Sequence, residues 1–316
     1  MTGRNDCAPK ANYQVIPVRF LLILIAAATV EVGARAESPS DSIRVGVVRS
    51  LCKNMPEPLV KVAMQPLPAL MQAQTGFSCE LASPCDAMSL GGQIAKKEVQ
   101  LGIFQGFEFA WAQEKYPELR PLLIAVNQHP NRRAHLLVRG EARVKCLADL
   151  EGKELAIPRY SRDHCRMFIE HQCRQCGKAL DEFFAKVKTS MNAEEALDGV
   201  VEDTIQAAVV DDVAWGCYKR RKPGRAEQLK DFLQSEWFPD TVVVYRVDSM
   251  PDATLHRFQE GLLRARENAL GRQLLTLWFM TEFQRVPVDF AKMVKEIGKT
   301  YPLPAPADKL TFPHAN

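Results

Sequence analysis

Short apolar runs, each followed by a turn and a segment of helical spacing, recur along most of this chain. The clearest are Ile43–Val48 (IRVGVV), Val99–Phe104 (VQLGIF), Glu154–Ile157 (ELAI) and Ala207–Val210 (AAVV). Runs this short and this apolar read as strands buried on both faces. Behind the first comes a helix from about Glu57, with Leu59, Val60, Val62, Ala63 and Met64 apolar, which Pro66 and Pro68 must break. Behind the others come Phe107–Lys115, a helix opening near Ser161, and Asp212–Lys219. Strands alternating with helices predict an α/β protein with mainly parallel sheets.

The same reading places strands at Phe77–Leu81, Leu122–Val126, Ala134–Val138 and Phe184–Val187, and helices at Gly91–Lys97 and Ala193–Val201. The β-branched run Thr241–Tyr245 is expected to pair beside Ala134–Val138 and carry the chain back. A helix capped at Ser249 runs to about Leu270, and two more precede a Pro-rich end at 301–316. The polar link Asn127–Arg133 reads as a crossing between two lobes, which assigns 43–128 with 246–300 to one lobe and 129–245 to the other.

The N-terminus reads as an export signal. Arg4, Lys10 and Arg19 precede an apolar run from Phe20 to Val30, and Ala34-Arg35-Ala36 fits small-x-small cleavage, giving a signal of residues 1–36. That run is too short for a permanent span. The full chain carries a net charge of +3; the signal holds four basic and two acidic residues, so about +1 remains. Nothing in that balance points to nucleic acid or a polybasic membrane contact. The eight cysteines beyond Cys7 are even in number, as in a disulfide-bonded periplasmic protein. At least two disulfides are expected, with Cys79–Cys85 closing a short loop and the cysteines near 165–176 reaching Cys146 or Cys217.

The most informative unit is Lys153–His171, where a strand, a Pro158-Arg159-Tyr160 turn and a helix follow one another. With Ser161 as N-cap, the free amides and the positive dipole end make an anion site. Arg162, His164 and Arg166 add donors around it, and Arg162 and Arg166 stand at i and i+4, so both can flank one oxyanion.

The stretches LGIFQGFEFAWAQEKYPELRPL (Leu101–Leu122), LLVRGEARVKCLADLEGKELAIP (Leu136–Pro158), AAVVDDVAWGCYK (Ala207–Lys219) and VVVYRVDSMPDA (Val242–Ala253), with IRVGVV, carry a resemblance. In that order they resemble the phosphate/phosphite/phosphonate-binding proteins of ABC transporters, a branch of the type II periplasmic binding proteins. The resemblance implies two α/β lobes, a hinge and a ligand cleft. It also implies a monomer that captures a small anionic ligand for an ABC permease or membrane sensor; no paired-carboxylate, Ser-His-Asp or P-loop pattern stands out, so no catalysis, cofactor or metal is expected. The family's Ser-x-Ser-Gly turn corresponds here to Ser161-Arg162-Asp163-His164, where only the first Ser matches, so the oxyanion need not be a phosphonate. Ser50 at the first strand's end, the Gln105-Gly106 loop, and Asp211 and Asp212 at a strand end would also face the cleft. Competing roles are a tight turn for Gly106 and a helix cap for Asp211.

A second reading uses the Cys/His-rich helix 161–177. His164, Cys165, His171, Cys173 and Cys176 would serve an exported redox or metal-handling protein. Cys165, Ile169, Cys173 and Cys176 share a helical face, but only one CxxC is present.

Overall fold

The computed structural model describes residues 42–52, 55–127, 131–159 and 161–304. The expected export signal with its cleavage site, and residues 305–316 of the Pro-rich end, lie outside the described residues. In chain order the elements begin with β1 (Ser42–Val47), α1 (Glu57–Met64), α2 (Pro66–Thr75), β2 (Ser78–Leu81), α3 (Ala87–Ala95), β3 (Leu101–Phe104), α4 (Gly106–Lys115) and β4 (Leu119–Val126). Then follow β5 (Asn131–Arg132), β6 (Ala134–Arg139), β7 (Glu154–Ala156), α5 (Asp163–Gln175), α6 (Leu180–Phe183), β8 (Lys186–Lys188), α7 (Ala193–Val201), β9 (Ala207–Asp211), α8 (Asp212–Arg221) and α9 (Pro223–Ala226). The chain continues through β10 (Leu229–Gln234), β11 (Phe238–Pro239), β12 (Thr241–Arg246), α10 (Asp252–Leu263), α11 (Ala269–Leu277), β13 (Glu282–Arg285) and α12 (Phe290–Thr300).

Two sheets form. The first has the order β13-β4-β12-β3-β1-β2, the second β10-β6-β9-β7-β8. Each strand face carries its own core, because successive side chains point to opposite sides. In the first sheet Val45, Leu123 and Val243 pack toward α2, α10 and α11, while Phe104, Ile124 and Val242 pack toward α3, α4 and α12. In the second, Leu136, Leu155 and Val209 meet α5 and α6, and Leu137, Ala156 and Val210 meet α7 and α8. Pro66 ends α1 and opens α2, and Gly76 closes α2 in the left-handed conformation (φ 77°) that glycine adopts without a Cβ clash.

Two expectations are corrected here. The sheets are mixed rather than mainly parallel: β1 runs parallel to β2 and β3, and β7 to β8 and β9, while β12, β13, β6 and β10 pair antiparallel. β6 and β12 each follow a crossing directly, so the chain enters the sheet there without a helical crossover. Thr241–Tyr245, moreover, pairs with β3 and β4 of the first sheet and not with Ala134–Val138, whose outer neighbour is β10. The two crossings are β5 and β11, which pair antiparallel through Phe238 with Arg132 and Pro239 with Asn131. Among the described residues no helix is long and apolar enough to cross a membrane.

Candidate functional site

A cavity of about 540 Å³ opens where the strand ends of the first sheet, the crossings and the start of α5 meet. Of the residues singled out from sequence, Ser50, Gln105, Ser161, Arg162 and Asp163 line it. Asn127, Arg132, Asp240 and Thr241 line it too, and sequence reasoning had placed none of them in the ligand site. Gly106 and His164 border a small adjoining void. Gln105 follows β3 as the N-cap of α4, and its Nε2 donates to Asp163 Oδ2 of α5 at 3.0 Å, so the end of a first-sheet strand holds the helix start of the second.

The helix start differs from the expected one. Arg162, in extended backbone (φ −71°, ψ 151°), is the N-cap of α5, with no side-chain cap hydrogen bond. Ser161 stands one residue outside, its amide donating to Pro158 O, and it does not hold the cap position. Asp163 occupies the first helical position, so a carboxylate already meets the positive dipole end there. Arg166 does not flank the same point as Arg162: its Nε donates to Glu170 Oε1 at 2.7 Å, the i+4 neighbour down the helix.

Asp211 is the N-cap of α8, its Oδ1 accepting from the Ala214 amide at 2.7 Å. Asp212 exchanges bonds with Arg133, accepting from its amide at 3.2 Å and donating its own amide to Arg133 O at 3.0 Å. Neither acid lines the cavity, although the charge of Asp211 reaches Arg162. Both positions suit carboxylates for local reasons, which is why spacing could not separate a cap from a ligand contact.

The charges at the cavity are unequally matched. Arg132 Nε donates to Asp240 Oδ1 at 3.0 Å and Nη2 lies 3.0 Å from Oδ2, with both side chains buried. The second contact lies off the hydrogen-bonding direction, leaving Oδ2 without a hydrogen-bond donor. Arg162 has no hydrogen-bond or ion-pair partner for its guanidinium among the described residues. Burial, then the nearby Arg132, lowers its pKa, and Asp240 and Asp211 offset part of that. His164 is buried against the Phe238 ring (5.2 Å), and desolvation lowers it to about 3, so it is neutral.

Glu108, in the first turn of α4, accepts from Ser50 Oγ at 2.7 Å. Burial pushes it up to about 8, against the Ser50 hydrogen bond and with help from the Asp163 charge. It too was missed. The signal is the spacing Gln105-x-x-Glu108, N-cap to third helical position, where an acidic side chain is favoured beside the helix's first amides.

Gly106 is more than a turn residue. A Cβ there would lie 2.3 Å from Pro239 O of β11, so α4 rests directly on the crossing backbone. Gly106→Ala is expected to cost roughly 1–3 kcal/mol of stability through this overlap, despite the better helix propensity of Ala. Denaturant unfolding checks it: an unchanged midpoint would show that the crossing yields freely.

All eight described cysteines are free thiols, so the expected disulfides are absent. Cys165, Ile169 and Cys173 do share a face, and it is the core face of α5, fully buried. Cys176 lies past the helix end and is exposed. Desolvation pushes Cys173 up to about 12 and Cys165 higher still, which suits core packing rather than thiol chemistry. Among the described residues no group of three His, Cys, Asp or Glu side chains converges for a metal.

Two mixed sheets joined by paired crossings, with a cavity at the junction that carries charged and polar groups at the crossings, define the class of two-lobed periplasmic binding proteins. Solved structures share the fold. XAC2383 from Xanthomonas citri, bound to chloride ion, superimposes with a TM-score of 0.55 at 15% identity, over 83% of this chain and 98% of its own. PhnD1 from Prochlorococcus marinus, in complex with methylphosphonate, does so with a TM-score of 0.54 at 14% identity, over 82% and 97%. No curated protein matches the chain. Residues 55–289 match the family described as ABC transporter, phosphonate, periplasmic substrate-binding protein, and the chain belongs to that family. Its members are solute-binding proteins rather than enzymes, working with a small ligand and a membrane transporter.

Proposed function

We propose that this protein captures a small oxyanion of phosphate or phosphonate type in the cavity at the crossings and presents it to an ABC importer or membrane sensor. The observation that carries the reading is Arg162, a desolvated guanidinium on the cavity wall without a hydrogen-bonding partner. Arg162 is half-buried, so its guanidinium is partly stripped of water, and an oxyanion supplies two acceptors to one guanidinium fork. Ser50, Gln105 and Asn127 add neutral polar groups, and Asp163 accepts from the ligand's protonated oxygen or an amino group. Glu108, held neutral by burial at pH 7, adds no repulsion. Two of the structural neighbours are recorded with anions, XAC2383 with chloride ion and with ATP, and PhnD1 with methylphosphonate. The mature protein works in the periplasm as a monomer. Its lobes divide at β5 and β11, and ligand contacts from both sides favour the closed form.

Calorimetric titration with methylphosphonate, phosphite, phosphate and sulfate tests the reading. Arg162→Met is expected to weaken the tightest of these by about 30-fold or more, corresponding to roughly 2 kcal/mol. Its folding stability should hold or rise, because an apolar side chain of similar length replaces a half-buried charge with no partner. Wild-type affinity in a folded Arg162→Met variant would sink the site.

A further inference from the structure

The cavity does not end at the polar groups. From Ser50 and Gln105 it continues beneath α1 and α11, and there its walls turn apolar: Met55, Leu59, Met64, Leu274, Trp278 and Phe279. The charged lining residues, Arg132, Arg162, Asp163 and Asp240, all belong to the other end.

The apolar arm is built rather than left over. Trp278 Nε1 donates to Ala63 O at 3.0 Å, tying the end of α11 to α1 and fixing the indole as a wall. The next residue, Phe279, is left-handed at φ 52°, a conformation that bulky side chains rarely adopt. Its ring lines the cavity while 69% exposed, at a mouth shared with the exposed Leu59 and Leu277. A cavity of about 540 Å³ has room for roughly 18 waters at about 30 Å³ each. A bare oxyanion at Arg162 would leave most of it filled with water against apolar walls.

Resting on the oxyanion reading, we infer that the ligand is an amphiphile. Its oxyanion head sits at Arg162 and an alkyl tail lies along the arm under Trp278, covering Leu59, Leu277 and Phe279. The head sets orientation and the tail supplies affinity, since each methylene moved from water to apolar walls strengthens binding about three- to fourfold.

The test is calorimetric titration of the whole protein with methyl-, butyl-, hexyl- and octylphosphonate below their aggregation concentrations, with 1-octanol as a probe lacking the head. Affinity is expected to rise about threefold or more per methylene through hexyl, with 1-octanol far weaker than octylphosphonate. Leu277→Ser and Phe279→Ser, both at exposed positions, are expected to flatten the series and leave methylphosphonate affinity unchanged. Methylphosphonate binding with no rise along the series would overturn the tail and leave the oxyanion reading standing. A rise that both variants retain would also overturn it, by placing the tail elsewhere. Failure of every phosphonate to bind would remove the oxyanion reading itself, and the amphiphile with it.

Discussion

Asp240→Ala is expected to lower folding stability by about 3–5 kcal/mol, as large an effect as a single polar substitution here should give. Asp240 follows β11 and Arg132 ends β5, so their ion pair fastens the two crossings to each other across a ladder of only two residue pairs. The side chains are 2% and 6% exposed. Asp240 also accepts the Thr241 amide at 2.7 Å, so its loss strands a second donor. It is the acid that partly offsets the burial of Arg162 as well, and without it Arg132 and Arg162 repel one another in a desolvated site. The cost arises from the unpaired charges left behind, not from the worth of the pair. Asp240→Asn, which keeps an acceptor at Oδ1, should lose less. Arg132→Met combined with Asp240→Leu should recover most of the stability. Denaturant midpoints at constant m-value measure all three. If Asp240→Ala costs less than about 1 kcal/mol, the ion pair is not what holds the crossings together.

The alternation of elements was readable from the chain because it rests on local pattern. Ala193–Val201 is a helix at its predicted bounds, and α1, β1, β4, β6 and β9 lie within a few residues of theirs, whereas α2 went unread behind its two prolines. Strand pairing was not, since it depends on what lies beside a strand in space. A β-branched run such as Thr241–Tyr245 fits either sheet by its own composition, and its neighbours are 119–126 and 101–104. The strands that went unread, LKDFLQ at β10 and EFQR at β13, carry exposed polar residues because each closes a sheet edge.

The site was half legible for a related reason. Gln105, Arg162 and Asp163 are set by strand-to-helix turns, which sequence marks. Arg132 and Asp240 are 108 residues apart and meet only through the β5–β11 pairing, which no local signal encodes. Cysteine parity misled because Cys165 and Cys173 behave as small apolar residues, and their burial, not their number, decides their chemistry. Ser161 is a good cap by type. The turn instead ends one residue later, so Arg162 takes the cap position.

Replacing Glu108 by Gln should change how stability depends on pH. In the folded protein burial holds this carboxyl up to about 8, whereas an unfolded Glu titrates near 4.5. Between those values the folded state keeps a proton that the unfolded chain has lost, so stability falls as pH rises. The stabilisation is complete below about 4.5 and gone once pH passes about 8, at a slope approaching 1.4 kcal/mol per pH unit. His164 acts in the opposite sense. Its folded value of about 3 lies below the unfolded 6.5, so it makes stability rise with pH across that interval. The two slopes oppose one another between about 4.5 and 6.5, and the decline due to Glu108 stands alone from 6.5 to 8. Buried thiols enter only above 9, where their unfolded forms begin to ionise. Urea unfolding of wild type and Glu108→Gln from pH 5 to 8.5 isolates the carboxyl, since the other groups cancel in the difference. The stability of Glu108→Gln relative to wild type is expected to increase steadily with pH, by about 1.4 kcal/mol per unit at most. Parallel curves would mean that Glu108 reaches water in the folded protein, and that a negative charge stands beside Ser50 and Asp163 at neutral pH. The Arg162 site would then face a carboxylate that its oxyanion must overcome.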